Sequence, residues 1–478
     1  MASTRIQKNG SFSTNSGYVT KFTFSCWVKR NGADLGTYSG LFASSRDDNW
    51  VNSRFKLHFR DSDRLGWEMK DSGGSDDNSF ETNMLFRDPN AWYHIVFTYD
   101  GTEGTEANRL KLWVNGVDIR NDGGGFSSLN EAGSGFESYQ DTNTVQYIGA
   151  YPNNSGTFLY LDGYMADVYY TVENVYTAST FGETDATTGE WKPKTDPSVT
   201  YGTGGFNLKF ENAANLDLDS GTNGYTFTTN GTLTQSIDNP SHNFATLQHL
   251  FKGQNNLTIS TGSNKAVEGS NNWRAAYSSI GMDAGKFYCE AKITYQSGNE
   301  AYVGCAHEDH INGNASYGGS WGGDQQEGYD YIGYSDKSVG MYSNGNIDYP
   351  STINVGGTWQ SSGDIIGIAM DLDNNKIYFA RNGTWMNSGD PTSGATGTGA
   401  AYTISSTPTN GVYMPAFGKG SSASYSWTMK TNFGNGYLGT DTVGTTNQDA
   451  ANIGYFKYAV PTGYYALCTK NIKAYGGV

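Results

Sequence analysis

Short runs of alternating apolar and polar residues recur along the first half of the chain. In KFTFSCWVKR, the residues Phe22, Phe24, Cys26 and Val28 share one face, and the polar residues share the other. The run NRLKLWVNG ends on Asn-Gly, a strong two-residue hairpin signal because type I′ turns need positive φ. A period of two is typical of strands, and the 3.6-residue period of helices is absent. The pattern therefore predicts antiparallel strands.

The second half of the chain shows the same period. GKFYCEAKITY alternates, and DIIGIAMDLDNNKIYFARNGTW is typical of a hairpin. Its first arm places Ile366, Ile368, Met370 and Leu372 on one face, and its turn is predicted at 373–375. Both halves thus predict an all-β fold.

The polar stretches between these runs suggest the domain organisation. A length of 478 residues is enough for two or three domains. We predict two antiparallel β-sandwich, jelly-roll-like domains, residues 1–212 and 273–436. Residues 213–272 mix Asn, Thr, Ser and Gly with isolated apolar residues and are expected to be an extended connector, and 437–478 a C-terminal tail.

Composition narrows the class of protein. Charged residues make up only 16% of the chain, so a coiled coil or helix bundle is excluded, while 14% aromatic residues argue against disorder. A net charge of −16 opposes binding to a nucleic-acid backbone. No apolar run approaches the roughly 18 residues of a membrane span, so no membrane insertion is expected.

The four cysteines are expected to be free thiols. Cys26, Cys289, Cys305 and Cys468 form no C-x-x-C pair, and the N-terminal MASTRIQKNGSF has no apolar leader segment. A reducing compartment of synthesis follows from this interpretation.

Two family resemblances appear in these runs. The order TFSCWVKR, RDPNAWYHIVFTYD, NRLKLWVNG, YIGA and DGYMADVYY, over roughly residues 10–212, resembles a LamG-type, concanavalin-like jelly roll. GKFYCEAKI, GDIIGIAMDLDNNKIYFARNGTW and YMPAFGKGSSASYSWTMKTNFG, over roughly residues 273–436, resemble a SPRY domain. These resemblances imply a β-sandwich in each domain and a role in binding.

Other segments resemble parts of bacteriophage virion proteins. FGETDATTGEWKPK, leading into YGTGGFNLKF, looks like a linker found with such domains in virion proteins, and PTGYYALCTKNI resembles their C-terminal segment. The resemblance implies a place on the virion, on a capsid, fibre or tail, with other virion proteins as partners. A host surface glycan or protein is the implied ligand, and a homo-oligomer, expected as a trimer, is the implied assembly.

Motifs that could carry catalysis are incomplete. GGSWG matches the nucleophile-elbow pattern, but that pattern requires a strand-to-helix turn, and here it lies in a Gly/Tyr-rich loop. Asp162 and Asp167 are five residues apart, which in a regular strand puts them on opposite faces and not in one cleft. We therefore predict no catalytic residues and no enzyme. The alternatives are a glycan-degrading depolymerase, which needs a carboxylate pair, and a cellular lectin-like adaptor, which needs a secretion signal or anchor.

Candidate metal-binding motifs are also incomplete. In HEDH, His307 and His310 are three residues apart and not four as in H-E-x-x-H. DLDNN begins like a calcium loop, but Lys376 and Asn382 occupy the Gly and Glu positions. No metal set or cofactor is predicted. The resemblance leaves open a structural calcium at a sandwich edge, since LamG-type domains sometimes hold one, with ligands that the sequence does not name.

The strongest binding candidate is the loop SYGGSWGGDQQEGYDYIGY. Aromatic faces on Gly-rich loops grip flat partners and sugar rings at little entropy cost. The candidate ligand-binding residues are Tyr317, Trp321, Tyr329 and Tyr331. The alternative is aromatic packing inside the loop or against a neighbouring subunit.

Overall fold

The structure, a computed structural model, describes most of the chain, and the described residues fall into two compact units, 1–235 and 236–478. The described ranges are 4–8, 18–45, 53–70, 76–131, 138–139, 144–186, 189–249, 257–268, 274–295, 301–311, 332–333, 337–347, 352–359, 361–404, 411–419 and 427–476.

The first unit is built from short strands with little helix. Its strands are β1 Arg5–Lys8, β2 Tyr18–Val19, β3 Lys21–Arg30, β4 Ser39–Ser45, β5 Ser53–Phe59, β6 Arg64–Lys70, β7 Asp76–Leu85, β8 Tyr93–Asp100, β9 Leu110–Val114, β10 Val117–Asp118, β11 Phe126–Asn130, β12 Ser138–Tyr139, β13 Val145–Ile148, β14 Ala150–Pro152, β15 Phe158–Tyr160, β16 Gly163–Val172, β17 Gly182–Thr184, β18 Trp191–Pro193, β19 Phe206–Leu208 and β20 Thr228–Asn230. Its helices are α1 Glu106–Arg109 and α2 Ala178–Phe181, with a 3-10 turn at Gly32–Asp34.

Two antiparallel sheets form a sandwich in this unit. One has the order β11-β7-β6-β5-β4-β13-β1-β20 and the other β10-β9-β8-β3-β16-β19. The predicted inward face of β3, from Phe22 to Val28, lies in the shared core with Phe55 and Leu57 of β5. Phe24 stacks on Phe42 of β4, with ring centroids 4.8 Å apart and planes 2° apart. The sandwich prediction is confirmed.

The second unit repeats this construction with different strand orders. Its strands are β21 Leu257–Ser260, β22 Lys265–Glu268, β23 Arg274–Tyr277, β24 Lys286–Tyr295, β25 Ala301–His307, β26 Ser338–Tyr342, β27 Asn346–Ile347, β28 Ile353–Asn354, β29 Ile365–Asp371, β30 Lys376–Arg381, β31 Thr384–Trp385, β32 Tyr402–Thr403, β33 Tyr413–Lys419, β34 Trp427–Asn432, β35 Tyr437–Leu438, β36 Asp441–Thr442, β37 Asn447–Gln448, β38 Tyr455–Phe456 and β39 Tyr465–Ala466. Its helices are α3 Glu308–Ile311 and α4 Thr469–Tyr475, with 3-10 turns at Met386–Ser388 and Gly394–Thr396.

A nine-stranded and a six-stranded sheet enclose the core of the second unit. The nine-stranded sheet runs β21-β22-β34-β24-β29-β30-β31, with β32 beside β30 and β39 parallel to β24, and the six-stranded sheet runs β23-β33-β25-β26-β27-β28. The predicted inward faces of β24 and β29 lie in this core. The predicted turn at 373–375 is confirmed, because Asp371 pairs with Lys376 across it. Asn-Gly at 382–383 makes the next turn, with φ of 48° and 81°.

Residues 213–272, expected to be a connector, contribute to both units. Strand β20 pairs with β1, and Phe227 packs in the core of the first unit. Strand β22 pairs with β34, and Ala245 packs in the core of the second unit. The short strands of this region are held by neighbours distant in sequence, which is why its local pattern is weak.

The tail, residues 437–478, packs on the second unit. Phe456, Tyr464 and Ala466 are buried against Tyr288 and Tyr378 on the outer face of the nine-stranded sheet. Among the described residues, no helix is long and apolar enough to cross a membrane.

Candidate functional site

The four sequence-predicted ligand residues lie outside the described residues. They are Tyr317, Trp321, Tyr329 and Tyr331, all within 312–331. The residues on either side of this segment, Ile311 and Ile332, are both buried and belong to one apolar cluster. Tyr302 of β25 belongs to that cluster, whereas Val303 belongs to the core. Because side chains alternate along a strand, this cluster, with Ile311 and Ile332, lies on the outer face of the six-stranded sheet.

The HEDH motif spans the end of β25, at His307, and the helical turn α3, where the sequence predicted no helix. His307 is buried, and its Nδ1 accepts the Asp309 N–H at 3.1 Å, with the Asp309 carboxylate at 3.3 Å. Burial lowers the pKa of His307, so the ring is neutral near pH 7. Within the described ranges, no group of three His, Cys, Asp or Glu side chains has the arrangement of a metal site.

In the DLDNN segment, the carboxylate of Asp371 holds the hairpin turn. The backbone and side-chain amides of Asn374 donate to Asp371, with distances of 2.9 to 3.1 Å, and Lys286 Nζ lies 3.0 Å from the same carboxylate. Asp371 thus holds the hairpin turn, and Asp373 accepts the Gly285 N–H at 2.8 Å.

A bulge changes the geometry around Asp162 and Asp167. The register of β16 against β3 shifts between Ala166 and Tyr169, and Asp167 has a φ of 49°. Simple alternation therefore does not decide the faces of the two carboxylates. Asp162 accepts a hydrogen bond from Asn31, and burial raises the pKa of Asp167 to about 6.

A buried arginine, Arg30, ends strand β3 of the first sandwich. The Arg30 side chain is fully buried, with Nε 2.8 Å from Asp34 and Nη1 3.1 Å from Asp63. The guanidinium also lies over the Phe59 ring at 4.5 Å. Asp63 accepts the Gly36 N–H at 2.7 Å as well. A buried charge is tolerated only when paired, so these acids serve Arg30.

The outer face of the six-stranded sheet of the first unit is covered by its own chain. The cover is formed by residues 176–186 and 189–201, which contain the paired strands of the β17–β18 hairpin. Trp191 Nε1 donates to His94 Nδ1 at 2.9 Å, and the other ring nitrogen of His94 lies 3.0 Å from Ser25 Oγ. Trp27 stacks on the imidazole at 4.6 Å. Burial lowers the pKa of His94 to about 3. The segment that resembled a linker is thus a packed hairpin.

The eight-stranded sheet of the first unit has polar and charged side chains on its outer face. Since Phe55, Leu57 and Phe59 point into the core, Lys56 and His58 point outward. We call this region the β5–β6 patch. Its members are Tyr38, Lys56, His58, Arg60, Glu68, Glu81 and Tyr151.

Ion pairs connect the charged members of the patch. Lys56 Nζ lies 2.9 Å from the Glu68 carboxylate. Arg60 spans two acids, with Nε 3.1 Å from Glu81 and Nη1 3.9 Å from Glu68. The side chains of Arg60, Glu68 and Glu81 are 31%, 21% and 21% exposed, so solvent reaches this network.

Aromatic rings enclose the imidazole at the centre of the patch. His58 is fully buried between Tyr38, with centroids 6.1 Å apart, and Tyr151, at 5.1 Å. Among the described residues, neither ring nitrogen has a hydrogen-bond partner, and the closest acid, Glu68, is 3.9 Å from Nε2. Burial, then Lys56 and Arg60, hold the pKa of His58 well below its usual value, so the ring is neutral.

The sequence carries a local signal for the β5 members of this patch. In SRFKLHFR, the apolar residues alternate with Lys56, His58 and Arg60. These three basic side chains therefore share one face of the strand. The partners Tyr38 and Tyr151 come from distant segments and carry no local signal.

Comparison with family models assigns both units. Residues 7–171 match the concanavalin A-like lectin/glucanases superfamily, and residues 286–436 match the SPRY domain. The chain combines a LamG-like concanavalin-fold domain with a SPRY domain. Domains of these two kinds are binding or adaptor modules and are typically non-enzymatic.

Solved structures show partial similarity to the chain. The SPRY domain of human HERC1 is 14% identical and has a TM-score of 0.27, with 39% of this chain and 96% of that chain covered. A heptameric SAP-like pentraxin from Limulus polyphemus is 14% identical, with a TM-score of 0.27, covering 43% and 88%. The TRIM65 PSpry domain is 14% identical, with a TM-score of 0.26, covering 39% and 89%. A comparison with curated proteins found no match.

Proposed function

We propose that the protein is a non-enzymatic structural and adhesion component of a bacteriophage virion, which displays the LamG-like and SPRY domains to a host surface glycan or protein. The observation that carries the proposal is the presence of two binding modules in one chain. Repeated copies on a particle convert weak contacts into avidity, which suits an adhesion role.

The virion assignment rests on the segments that resemble phage proteins. The described residues of FGETDATTGEWKPK are part of the cover of the LamG-like sandwich, and PTGYYALCTKNI supplies β39 and the start of α4. Both segments are integral parts of their units. Because both segments pack within their units, the resemblance extends to the folded domains. It therefore supports the proposal that this chain is a virion protein of the same kind.

A binding role, and not hydrolysis, suits the carboxylates of the β5–β6 patch. Glu68 and Glu81 share one face of adjacent strands, which a depolymerase would require. Arg60 pairs with both of them. In a glycosidase one acid protonates the leaving group, whereas here both carboxylates are salt-bridged to the same guanidinium.

The assembly that we propose is a homo-oligomer, a trimer or higher. Virion appendages are usually symmetric, and edge strands of an isolated sandwich need protection. Light scattering on the full chain at micromolar concentration is expected to give at least three copies, and a monomer would contradict this part of the proposal.

Two measurements test the function. Mass spectrometry and immuno-labelled imaging of purified phage particles are expected to find the protein on the particle surface, in several copies. Incubation with polysaccharides is expected to release no product. Absence from particles would reject the virion role, and reproducible product release that disappears in a Glu68→Gln variant would favour the depolymerase.

A further inference from the structure

Three lysines form a row on the outer face of the nine-stranded sheet. Lys265 of β22 and Lys292 of β24 both lie directly opposite Lys430 of β34 in the register of the sheet. Their core-facing neighbours along the three strands are Ala266, Ile293 and Met429. Because side chains alternate along a strand, the three lysines point away from the core on one common face. We call Lys265, Lys292 and Lys430 the lysine row.

The lysine row carries more positive charge than its acidic neighbour balances. Asp441 lies 2.8 Å from Lys292 Nζ and 3.1 Å from Lys430 Nζ. Among the described residues, no acid lies within ion-pair distance of Lys265 Nζ. Three positive charges against one negative leave a net charge of +2. Like charges directly opposite on neighbouring strands are unfavourable, so a negatively charged partner would stabilise this arrangement.

The lysine row is accessible from solvent. The C-terminal tail covers the part of this sheet face that contains Tyr288. Around the row, by contrast, Thr258 of β21 and Thr294 of β24 are exposed on the same face. The side chains of Lys292 and Lys430 are 28% and 20% exposed. A macromolecular surface can therefore reach the row without displacing the tail.

The charge of the whole chain indicates which partner fits the lysine row. The chain has 47 acidic and 31 basic residues and a net charge of −16, so its copies repel one another over most approaches. A positive row on this background is complementary to an acidic surface of a second copy. The row is not complementary to itself, because a twofold contact would bring two rows of like charge together. The contact must join unlike surfaces, and such contacts close into rings of three or more copies or continue as filaments.

We infer that the lysine row is a docking surface between copies of this chain, and that it binds an acidic surface of the next copy in a head-to-tail contact. Each ammonium group has three N–H donors, so Lys292 and Lys430 keep donors for a carboxylate of the partner besides Asp441. This inference rests on the homo-oligomer of the proposed function and names a surface through which it assembles.

The test measures the mass of the full-length protein by light scattering over a dilution series. The natural protein is expected to be a trimer or larger. Raising the salt concentration from about 0.1 M to about 1 M shortens the Debye length from about 10 Å to about 3 Å, so assembly is expected to weaken. Lys265→Glu is expected to raise the dissociation constant by about fivefold or more, and Lys292→Glu by a comparable factor. Lys265→Arg keeps the charge and is expected to assemble within about twofold of the natural protein.

The matched control is Lys470→Glu, which makes the same change of charge at an exposed lysine on α4, outside the row. It is expected to leave assembly unchanged, and circular dichroism verifies that each variant is folded. A monomeric or dimeric natural protein, assembly that is insensitive to salt, or unchanged assembly of both row variants would each overturn the inference. Poly-glutamate that binds the row while assembly stays intact would assign the row to a different acidic partner and would also overturn it.

The inference and the proposed function fail in different ways. If the natural protein and both row variants are trimers, the homo-oligomer stands and the lysine row is not its contact. Imaging of purified particles decides the virion role separately, because assembly through the row is measured on the isolated protein.

Discussion

At the scale of single residues, two buried titratable groups give the two units opposite responses to pH. His94 lies in the LamG-like unit and is neutral, with a pKa lowered by burial to about 3 from its ordinary 6.5. Glu290 lies in the SPRY unit, with a pKa raised by burial to about 6 from 4.5. The first group binds fewer protons in the folded state than in the unfolded state, and the second binds more.

For His94, stability is expected to fall in acid. Between pH 6.5 and about 3 the unfolded chain binds the extra proton, so the free energy of unfolding decreases by up to about 1.4 kcal/mol for each pH unit lost. A His94→Gln variant keeps a donor and an acceptor for Ser25 and Trp191 but does not titrate. Urea denaturation at several pH values is expected to show a shallower acid loss in the variant. Parallel curves for the two proteins would contradict the assignment.

For Glu290, the sign is reversed. Its carboxylate accepts the backbone N–H groups of Lys457 and Tyr458, both at 2.9 Å, in an otherwise buried position. The contribution is fully present below pH 4.5 and decreases by about 2 kcal/mol as pH rises through about 6. Glu290→Gln is expected to remove this dependence in denaturation curves between pH 4 and 8. The same slope in both proteins would show that another group titrates.

At the scale of elements, the segments that cover the outer faces of the sheets contribute to the stability of the fold. Trp191 fixes the β17–β18 hairpin over His94, and its ring lies against Gly116 and Gly182, where a Cβ would approach within 2.7 Å. Trp191→Ala is expected to cost about 3 kcal/mol through lost packing and an unpaired imidazole. Thermal denaturation measures the loss.

The control for this variant is Lys192→Ala on the same hairpin. Lys192 is 40% exposed and pairs with Asp185, so its removal is expected to cost less than about 1 kcal/mol. Equal losses in both variants would mean that the hairpin, and not the Trp191 contact, determines the effect.

The sequence predicted the long strands well and the covers poorly, for a physical reason. The inward faces of β3, β24 and β29 follow from alternation, because strands of seven to ten residues show several periods. The covers contain strands of two or three residues, in which no period is visible. Their burial depends on isolated aromatic residues such as Trp191 and Tyr464 that meet distant sheets. The same limit applies to the β5–β6 patch, where only its β5 members share a local pattern.

At the scale of the whole molecule, the boundary between the units decides which fragments fold. The boundary between the two compact units falls between residues 235 and 236 of the chain. A fragment of residues 236–478 keeps β21, β22 and the tail and is expected to be soluble, with a cooperative thermal transition. The fragment 273–478 loses β22, which leaves the edge of β34 unpaired and the core open, so it is expected to aggregate.

A second truncation tests the tail separately. Removing residues 437–478 from the full chain exposes Tyr288 and Tyr378 and leaves Glu290 without its backbone donors. This variant is expected to bind a hydrophobic dye strongly, whereas the full chain binds little. Weak dye binding by the truncated chain would show that the tail is dispensable.

The four free, buried thiols can report how often the structure around each of them opens. Cys26 is the cysteine of the LamG-like unit, and Cys289, Cys305 and Cys468 belong to the SPRY unit. Burial raises the pKa of Cys26, and a thiol that is protonated and enclosed reacts only when its surroundings open. Mass spectrometry of slow alkylation in native buffer therefore gives a separate labelling rate for each unit from one intact sample, and these rates report how often each unit opens.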